Sequence, residues 1–198
     1  MAKKAIKSRK TAPAKTKAPV KRSPTAVAIR GAAAGVAARV ADSMPWSDNG
    51  APDAIALLEA DHRRLEELFE QGEATTERAS KKRRELLQTL LRELNAHEVI
   101  EEKILYPALK QHPAAKDIVL EGFEEHHVAD LIVKELERLP PSDEQWAPKF
   151  KVLKENIEHH IQEEEGEMFR SARGIFSRDE LREMGARMQK LKAATLRA

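Results

Sequence analysis

Four histidines and two glutamates recur at matched positions in the two halves of the sequence. His62 lies upstream of the pair His97-x-x-x-Glu101, and His126 lies upstream of the pair His160-x-x-x-Glu164 at nearly the same distance. Imidazole nitrogens and carboxylate oxygens are metal ligands, and residues four apart share one face of a helix. The repeated unit therefore predicts a metal site with six protein donors: His62, His97, Glu101, His126, His160 and Glu164.

The repetition carries this prediction, because one pair alone is weak evidence. A single His-x-x-x-Glu pair is typical of a surface ion pair on a helix, and the chain is rich in glutamate. Two pairs, each with its own upstream histidine, are much harder to obtain by chance. The pattern therefore favours a metal site.

From about Pro52 onward, apolar residues recur at intervals of three and four, which is typical of amphipathic helices. The candidate ligands are therefore expected to lie on helices. A fifth amphipathic run begins at Ser177, where Ser177-x-x-Glu180 forms a capping box. We expect an all-α fold, an antiparallel up-down four-helix bundle with an additional C-terminal helix. The four bundle helices are predicted around Pro52–Gly72, Leu87–Ala108, Val119–Leu136 and Phe150–Met168.

The six candidate ligands belong to the apolar stripes of these helices. His62 lies between Leu58 and Leu65, and the other candidates fill equivalent places in their runs. A stripe that faces the centre of a bundle brings these polar groups inside, where an unpaired hydroxyl or amide costs about 2–7 kcal/mol and an ionised carboxylate more. Bound cations remove this cost by taking up the lone pairs.

The same helical register decides which of the neighbouring polar residues face the core and which flank it. His126 rather than His127 faces the core, because Ala129, Val133 and Leu136 follow it at helical spacing. Aligning the two halves makes His160 and Glu164 the inward pair, with His159 and Glu163 flanking it. His112 is predicted in an exposed connection. Glu98 and Asp130 are second-rank candidates, either as ligands or as hydrogen-bond acceptors for a ligand imidazole.

Composition narrows the remaining possibilities. The sequence has no cysteine, so disulfides, iron–sulfur clusters and thiolate zinc sites are excluded. No apolar stretch approaches membrane-spanning length.

Residues 1–41 carry eleven of the 35 basic residues and none of the 33 acidic ones. We expect a disordered Lys/Ala/Pro-rich tail over residues 1–48 and a single helical domain over residues 49–198.

Donor chemistry restricts the metal without fixing it. Mixed nitrogen and oxygen ligation without sulfur suits iron, zinc, copper or nickel and disfavours calcium and magnesium. Six donors exceed what one tetrahedral zinc needs, so two metals with carboxylate bridges fit the donor set more economically. The Glu-x-x-His pairs of ferritin-type di-iron bundles are a poor match: that spacing occurs at Glu59–His62 and Glu124–His127, but His127 flanks the apolar stripe instead of lying on it.

These residues and their surroundings resemble the hemerythrin-like HHE cation-binding domain over about residues 52–192. The similarity rests on the order of the H and HxxxE units and on three segments: Ala60–Arg63, His97–Pro107 and His159–Glu165. The resemblance implies a four-helix bundle with a non-heme di-iron centre. The four histidines would be terminal ligands and Glu101 and Glu164 bridging ones, with zinc or manganese less favoured than iron.

Two positions depart from the family pattern. Oxygen-carrying hemerythrins have a further histidine one turn along the third helix, where this chain has Asp130. Reversible oxygen carriage is therefore not expected. Arg170 replaces a proline that would match Pro107, which affects helix shape rather than chemistry.

We therefore expect a cytoplasmic, monomeric or weakly dimeric di-iron protein that binds, senses or reacts with dioxygen, nitric oxide or peroxide, or buffers iron. An enzyme with an organic substrate is not expected, because no nucleophile or phosphate loop is evident. One alternative is a nucleic-acid-associated protein, anchored nonspecifically through residues 1–41, with the bundle as scaffold or local iron trap. Another is a metal-free bundle whose His–Glu pairs hydrogen-bond to one another.

Overall fold

The computed structural model describes residues 52–198, and over this range the chain is helical with no β-strand. The predictions made for residues 1–48 and for a nucleic-acid contact through residues 1–41 lie outside the described residues. None of the described helices is long and apolar enough to cross a membrane.

Four helices of 18 residues or more run through the region predicted to form the bundle. They are α1 (Ala54–Glu73), α2 (Ser80–Ile100), α4 (Lys116–Arg138) and α5 (Trp146–Glu163). Two short helices, α3 (Tyr106–Leu109) and α6 (Phe169–Ile175), continue α2 and α5, and α7 (Arg178–Thr195) ends the chain. The helix positions predicted from the apolar periodicity are therefore close to those observed.

Helix ends follow ordinary capping chemistry. Asp53 caps α1 by accepting a hydrogen bond from the Ala56 amide at 2.8 Å, so Pro52 precedes the cap and α1 begins two residues after its predicted start. The capping box predicted at Ser177 is present, with Ser177 and Glu180 bonded reciprocally. Pro140 and Pro141 follow the end of α4, where proline cannot continue a helix.

A π-helical turn interrupts the helical register once in each half of the chain. The first turn spans Glu101–Leu105 between α2 and α3, and the second spans Glu164–Met168 between α5 and α6. Each turn begins at a candidate ligand glutamate. Its carbonyl accepts the hydrogen bond from the amide five residues on, at Tyr106 and Phe169 respectively. Such π-turns occur frequently at functional sites.

The apolar core consists of two clusters separated along the helices. One contains Ile55, Leu58, Leu105 and Met188, and the other is built around Leu65, Trp146 and Phe150 with their neighbours. The six candidate ligands lie between Leu58 and Leu65 on α1 and at the corresponding levels of the other helices. A layer of buried polar groups therefore divides the hydrophobic interior.

Candidate metal centre

The six predicted ligands meet in the interior of the described residues. None has more than 4% of its surface exposed. They form two groups in which the potential ligand atoms lie within 4.8 Å of one another: His62, His97, Glu101 and Glu164 in one, and Glu101, His126 and His160 in the other.

Both glutamates contact histidines of the two groups. Glu101 lies 3.3 Å from Nε2 of His97 and 3.4 Å from Nε2 of His126, each through a different carboxylate oxygen. Glu164 Oε2 lies 3.2 Å from Nε2 of His62 and 3.6 Å from Nε2 of His160. All four imidazoles therefore turn Nε2 toward two shared carboxylates, an arrangement that fits bridging of two cations.

Several donor atoms of the centre have no hydrogen-bond partner in the part of the chain that the structure describes. Within the described residues, the buried atoms that lack a hydrogen-bond partner include His62 Nε2, both nitrogens of His97, both oxygens of Glu101 and Glu164 Oε2. Such groups are normally paired, because leaving one unsatisfied costs about 1–3 kcal/mol. These atoms all belong to the four residues of the first group, so the residues present fit a metal centre.

Burial and neighbouring charges shift the pKa values of the metal-free groups in different directions. Burial lowers the pKa of His97 to about 4. Burial acts the same way on His62, but hydrogen bonds to Glu164 and Glu165 outweigh it and raise its pKa to about 9. Burial raises the pKa of Glu101 well above its usual value, and the adjacent Glu164 adds to the rise.

Glu164 shifts in the opposite direction to Glu101. Burial alone would raise its pKa, but His160 and His62 outweigh that effect and hold the pKa of Glu164 below its usual range. The two central carboxylates therefore ionise differently in the absence of a cation.

The outward nitrogen of each histidine faces a carboxylate that the sequence analysis did not assign. Each carboxylate comes from a different helix or turn, and the four contacts form a closed ring. The Nδ1–oxygen distances are 3.7 Å for His97–Asp61, 3.1 Å for His126–Glu102, 2.7 Å for His160–Glu125 and 2.8 Å for His62–Glu165. Carboxylates at this position fix the tautomer and orientation of ligand imidazoles and raise their basicity.

A sequence signal for these four carboxylates exists in retrospect. Each is the immediate sequence neighbour of a candidate ligand, as Asp61 is of His62 and Glu102 is of Glu101. Each nevertheless serves a histidine on another helix, so only the packing of the helices reveals its partner.

Tyr106 also belongs to the centre and was not assigned a role from the sequence. Its ring is fully buried, and its hydroxyl donates to Glu164 Oε1 at 2.9 Å and lies 3.5 Å from His126 Nε2. Gly122 on α4 makes room for it, since a Cβ there would lie 2.8 Å from the tyrosine oxygen.

The second-rank candidates lie outside both groups of ligand atoms. Asp130 is 55% exposed and forms an ion pair with Lys134 at 3.5 Å. Glu98 has one buried oxygen without a partner, and burial together with Asp130 and Glu102 raises its pKa to about 8. Among the described residues, neither forms a hydrogen bond or ion pair with a ligand histidine, in contrast to Asp61 and Glu102.

The flanking histidines also lie outside the six-residue cluster. His127 is exposed, and His159 is 62% exposed and lies 3.3 Å from Glu163. His112 is in a turn as predicted, but it is half-buried rather than exposed because its ring packs edge-on against Phe176.

Comparison with known proteins gives two matches. The sequence model of the hemerythrin HHE cation-binding domain matches residues 53–172. The crystal structure of a hemerythrin HHE cation-binding domain-containing protein from Mycobacterium kansasii is similar, with a TM-score of 0.64 and 27% sequence identity over 72% of this chain and 89% of that one. No curated protein matches. The matched segment covers more than half of the chain and contains all six candidate ligands, and the chain therefore belongs to the hemerythrin HHE cation-binding domain family.

Proposed function

We propose that this protein holds two iron ions in a carboxylate-bridged, non-heme centre that binds or senses a small ligand such as dioxygen, nitric oxide or peroxide, or buffers iron. The observation that carries the proposal is the arrangement of two histidine pairs around Glu101 and Glu164. His62 and His97 would hold one ion, His126 and His160 the other, and the two glutamates would bridge them.

Iron is favoured by the number and kind of donors. The centre offers imidazole and carboxylate without sulfur, and two histidines with two bridging oxygens leave each ion short of six ligands. Bound iron would supply open coordination positions and redox chemistry, which closed tetrahedral zinc does not. Since Asp130 lies on the surface, it does not fill the position of a further histidine ligand.

The residues around the centre orient and shield it. Tyr106 holds Glu164 through a hydrogen bond to the oxygen that does not face the histidines. Phe169 stacks on the ring of His62 with the centroids 5.6 Å apart, and Tyr106 lies parallel to His126 in the same way. These rings exclude water and fix the imidazoles.

We also infer the antiparallel up-down arrangement of α1, α2, α4 and α5. The ring of histidine–carboxylate contacts supports it, because it links α1 to α2, the turn after α2 to α4, α4 to α5, and the turn after α5 back to α1. Consecutive helices that are neighbours and have short connections are antiparallel.

The experiment is elemental analysis of the full chain after anaerobic reconstitution with iron, followed by its visible spectrum when air is admitted. Two irons per chain and an absorption band of an oxo-bridged diferric pair are expected. Bleaching of the band under vacuum would indicate reversible carriage, and its persistence would indicate irreversible oxidation. Folded, fully helical protein that retains no transition metal would refute the proposal.

A competition experiment tests whether the centre prefers iron to zinc and manganese. When equal concentrations of iron(II), zinc and manganese are offered anaerobically, we expect iron to occupy the centre. Preferential retention of zinc would overturn the redox part of the proposal.

The nucleic-acid alternative stays a separate prediction, tested by the salt dependence of DNA binding before and after deletion of residues 1–41.

A further inference from the structure

Asp61 differs from the three other carboxylates that face the histidines. Its side chain is 9% exposed, compared with 14% for Glu125 and about one-third for Glu102 and Glu165, and of the four only Asp61 has its other oxygen held by a lysine among the described residues. Asp61 Oδ2 and Nδ1 of His97 face each other at 3.7 Å, and among the described residues neither atom has a hydrogen-bond partner. These atoms are complementary, since a metal-bound imidazole carries its proton on the outward nitrogen.

Lys192 on α7 holds the other oxygen of Asp61. Its ammonium group forms an ion pair with Asp61 Oδ1 and lies 3.6 Å from Glu93 on α2. The Lys192 side chain is 16% exposed, so this pair is partly shielded from water. Removing one partner of such a pair leaves the other charge uncompensated, which is strongly unfavourable.

The last helix is fixed against α1, so Lys192 has a defined position. Gly185 lies so close to the start of α1 that a Cβ there would be 2.4 Å from the Pro52 carbonyl oxygen. Leu181 and Met188 are buried in the same apolar cluster as Ile55 and Leu58. The family match ends at residue 172, before α7 begins at Arg178.

We propose that Lys192 and Asp61 are positioning residues for His97, so that the C-terminal helix determines how tightly one of the two metal ions is held. The inference rests on the proposed metal-binding function. Lys192 neutralises Asp61 and fixes one of its oxygens, which leaves the other aimed at Nδ1 of His97. Loss of Lys192 frees the carboxylate to turn away, and His97 loses its outer support.

The test compares Lys192→Met with Lys190→Met in the full chain. Methionine retains an apolar stem at position 192, and Lys190 is an exposed lysine on the same helix. Each protein is loaded with cobalt(II), and release of the metal to excess EDTA is followed by absorbance. We expect about tenfold faster release of one of the two ions from Lys192→Met, because loss of such outer support weakens metal binding by about 10–100-fold. Lys190→Met should behave like wild type.

Further variants separate positioning from general destabilisation. Lys192→Arg should restore slow release, because arginine retains the ion pair. Asp61→Asn should also accelerate release, and combining it with Lys192→Met should add little, since both act through the same contact. In the proton NMR spectrum of the cobalt protein, the exchangeable, hyperfine-shifted imidazole N–H signal of His97 should exchange faster in Lys192→Met and the other three should not.

The outcomes distinguish this inference from the proposed function. If wild-type protein binds no cobalt, iron or zinc, the proposed function fails. If wild type binds two ions and Lys192→Met releases them as slowly as Lys190→Met, the metal centre stands and the role of Lys192 is refuted. If Lys192→Met does not fold, Asp61→Asn and Lys192→Arg decide by the same release assay.

Discussion

At the residue scale, adjacent histidines on α4 offer a matched test of the ligand assignment. His126 is buried with Nε2 3.4 Å from Glu101, whereas the next residue, His127, is exposed. We expect His126→Ala to lower iron content well below two per chain, because it removes one of the two imidazoles of its group. His127→Ala should leave the content unchanged. The iron content of both variants is measured by elemental analysis, and circular dichroism checks that both remain helical. Equal iron contents in the two variants would contradict the assignment.

The hydroxyl of Tyr106 gives a second residue-scale prediction. Tyr106→Phe removes the donor to Glu164 Oε1, and a hydrogen bond to a charged group contributes about 1.5–3 kcal/mol. We expect the variant to fold, to release iron faster to a chelator and to show a shifted visible band in its oxidised form. Phe123→Leu is the control, because Phe123 packs edge-on against the Tyr106 ring without contributing a polar group. A Tyr106→Phe spectrum and release rate identical to those of wild type would exclude this role.

Inward placement of the six candidate residues could be predicted because they keep the apolar spacing of their helices. The four outer carboxylates could not be assigned in this way, since Asp61 and Glu165 lie beside the stripes and their partners are on other helices. Glu98 and Asp130 also lie near candidate ligands in sequence, so sequence proximity alone does not separate them from the four carboxylates that face the histidines. The crossing of the helices instead places Asp61 and Glu102 opposite the outward histidine nitrogens.

At the element scale, the two π-helical turns explain how a ligand glutamate and the apolar residues that follow it can all be buried in the protein interior. An extra residue in the turn resets the helix register by about 100°, so Glu101 faces the polar layer while Leu105 and Tyr106 return to the core. The second turn does the same for Glu164, Met168 and Phe169. Side-chain periodicity predicted uninterrupted helices here, because it has no signal for a change of backbone hydrogen bonding over five residues.

The packing of α7 on α1 leads to an element-scale prediction. Gly185→Ala places a Cβ within 3 Å of the backbone of Pro52, Asp53 and Ala54, which cannot move as a flexible side chain could. We expect a loss of about 1–3 kcal/mol in the free energy of unfolding, the usual cost of overpacking.

Gly174→Ala provides the control for this prediction, since a Cβ there meets nothing within 4 Å. Alanine has the higher helix propensity, so this variant should be neutral or more stable by up to about 1 kcal/mol. Chemical denaturation followed by circular dichroism compares the two. If Gly185→Ala were as stable as Gly174→Ala, the close contact between α7 and the start of α1 would be disproved.

At the scale of the whole molecule, the polar layer divides the hydrophobic interior and makes stability depend on metal. The two apolar clusters bury aromatic and aliphatic side chains on either side of the centre, which favours a folded metal-free protein. The unpartnered atoms of His97 and Glu101 oppose this stability until cations satisfy them.

We therefore predict that metal raises the unfolding temperature and that this increase requires the bridging glutamates. A ligand that binds only the native state adds about 2.7 kcal/mol at 100 times its dissociation constant, and four helices contribute ligands to this centre. Glu101→Gln keeps the shape of the side chain but removes an anionic bridge, so metal should raise its unfolding temperature far less. Glu124→Gln, an exposed residue on α4, should retain the full increase. Calorimetry with iron(II) under anaerobic conditions and with excess EDTA gives both temperatures for each variant. An equal metal-dependent increase in Glu101→Gln and wild type would mean that the stabilising ions bind elsewhere, because no other change separates these two proteins.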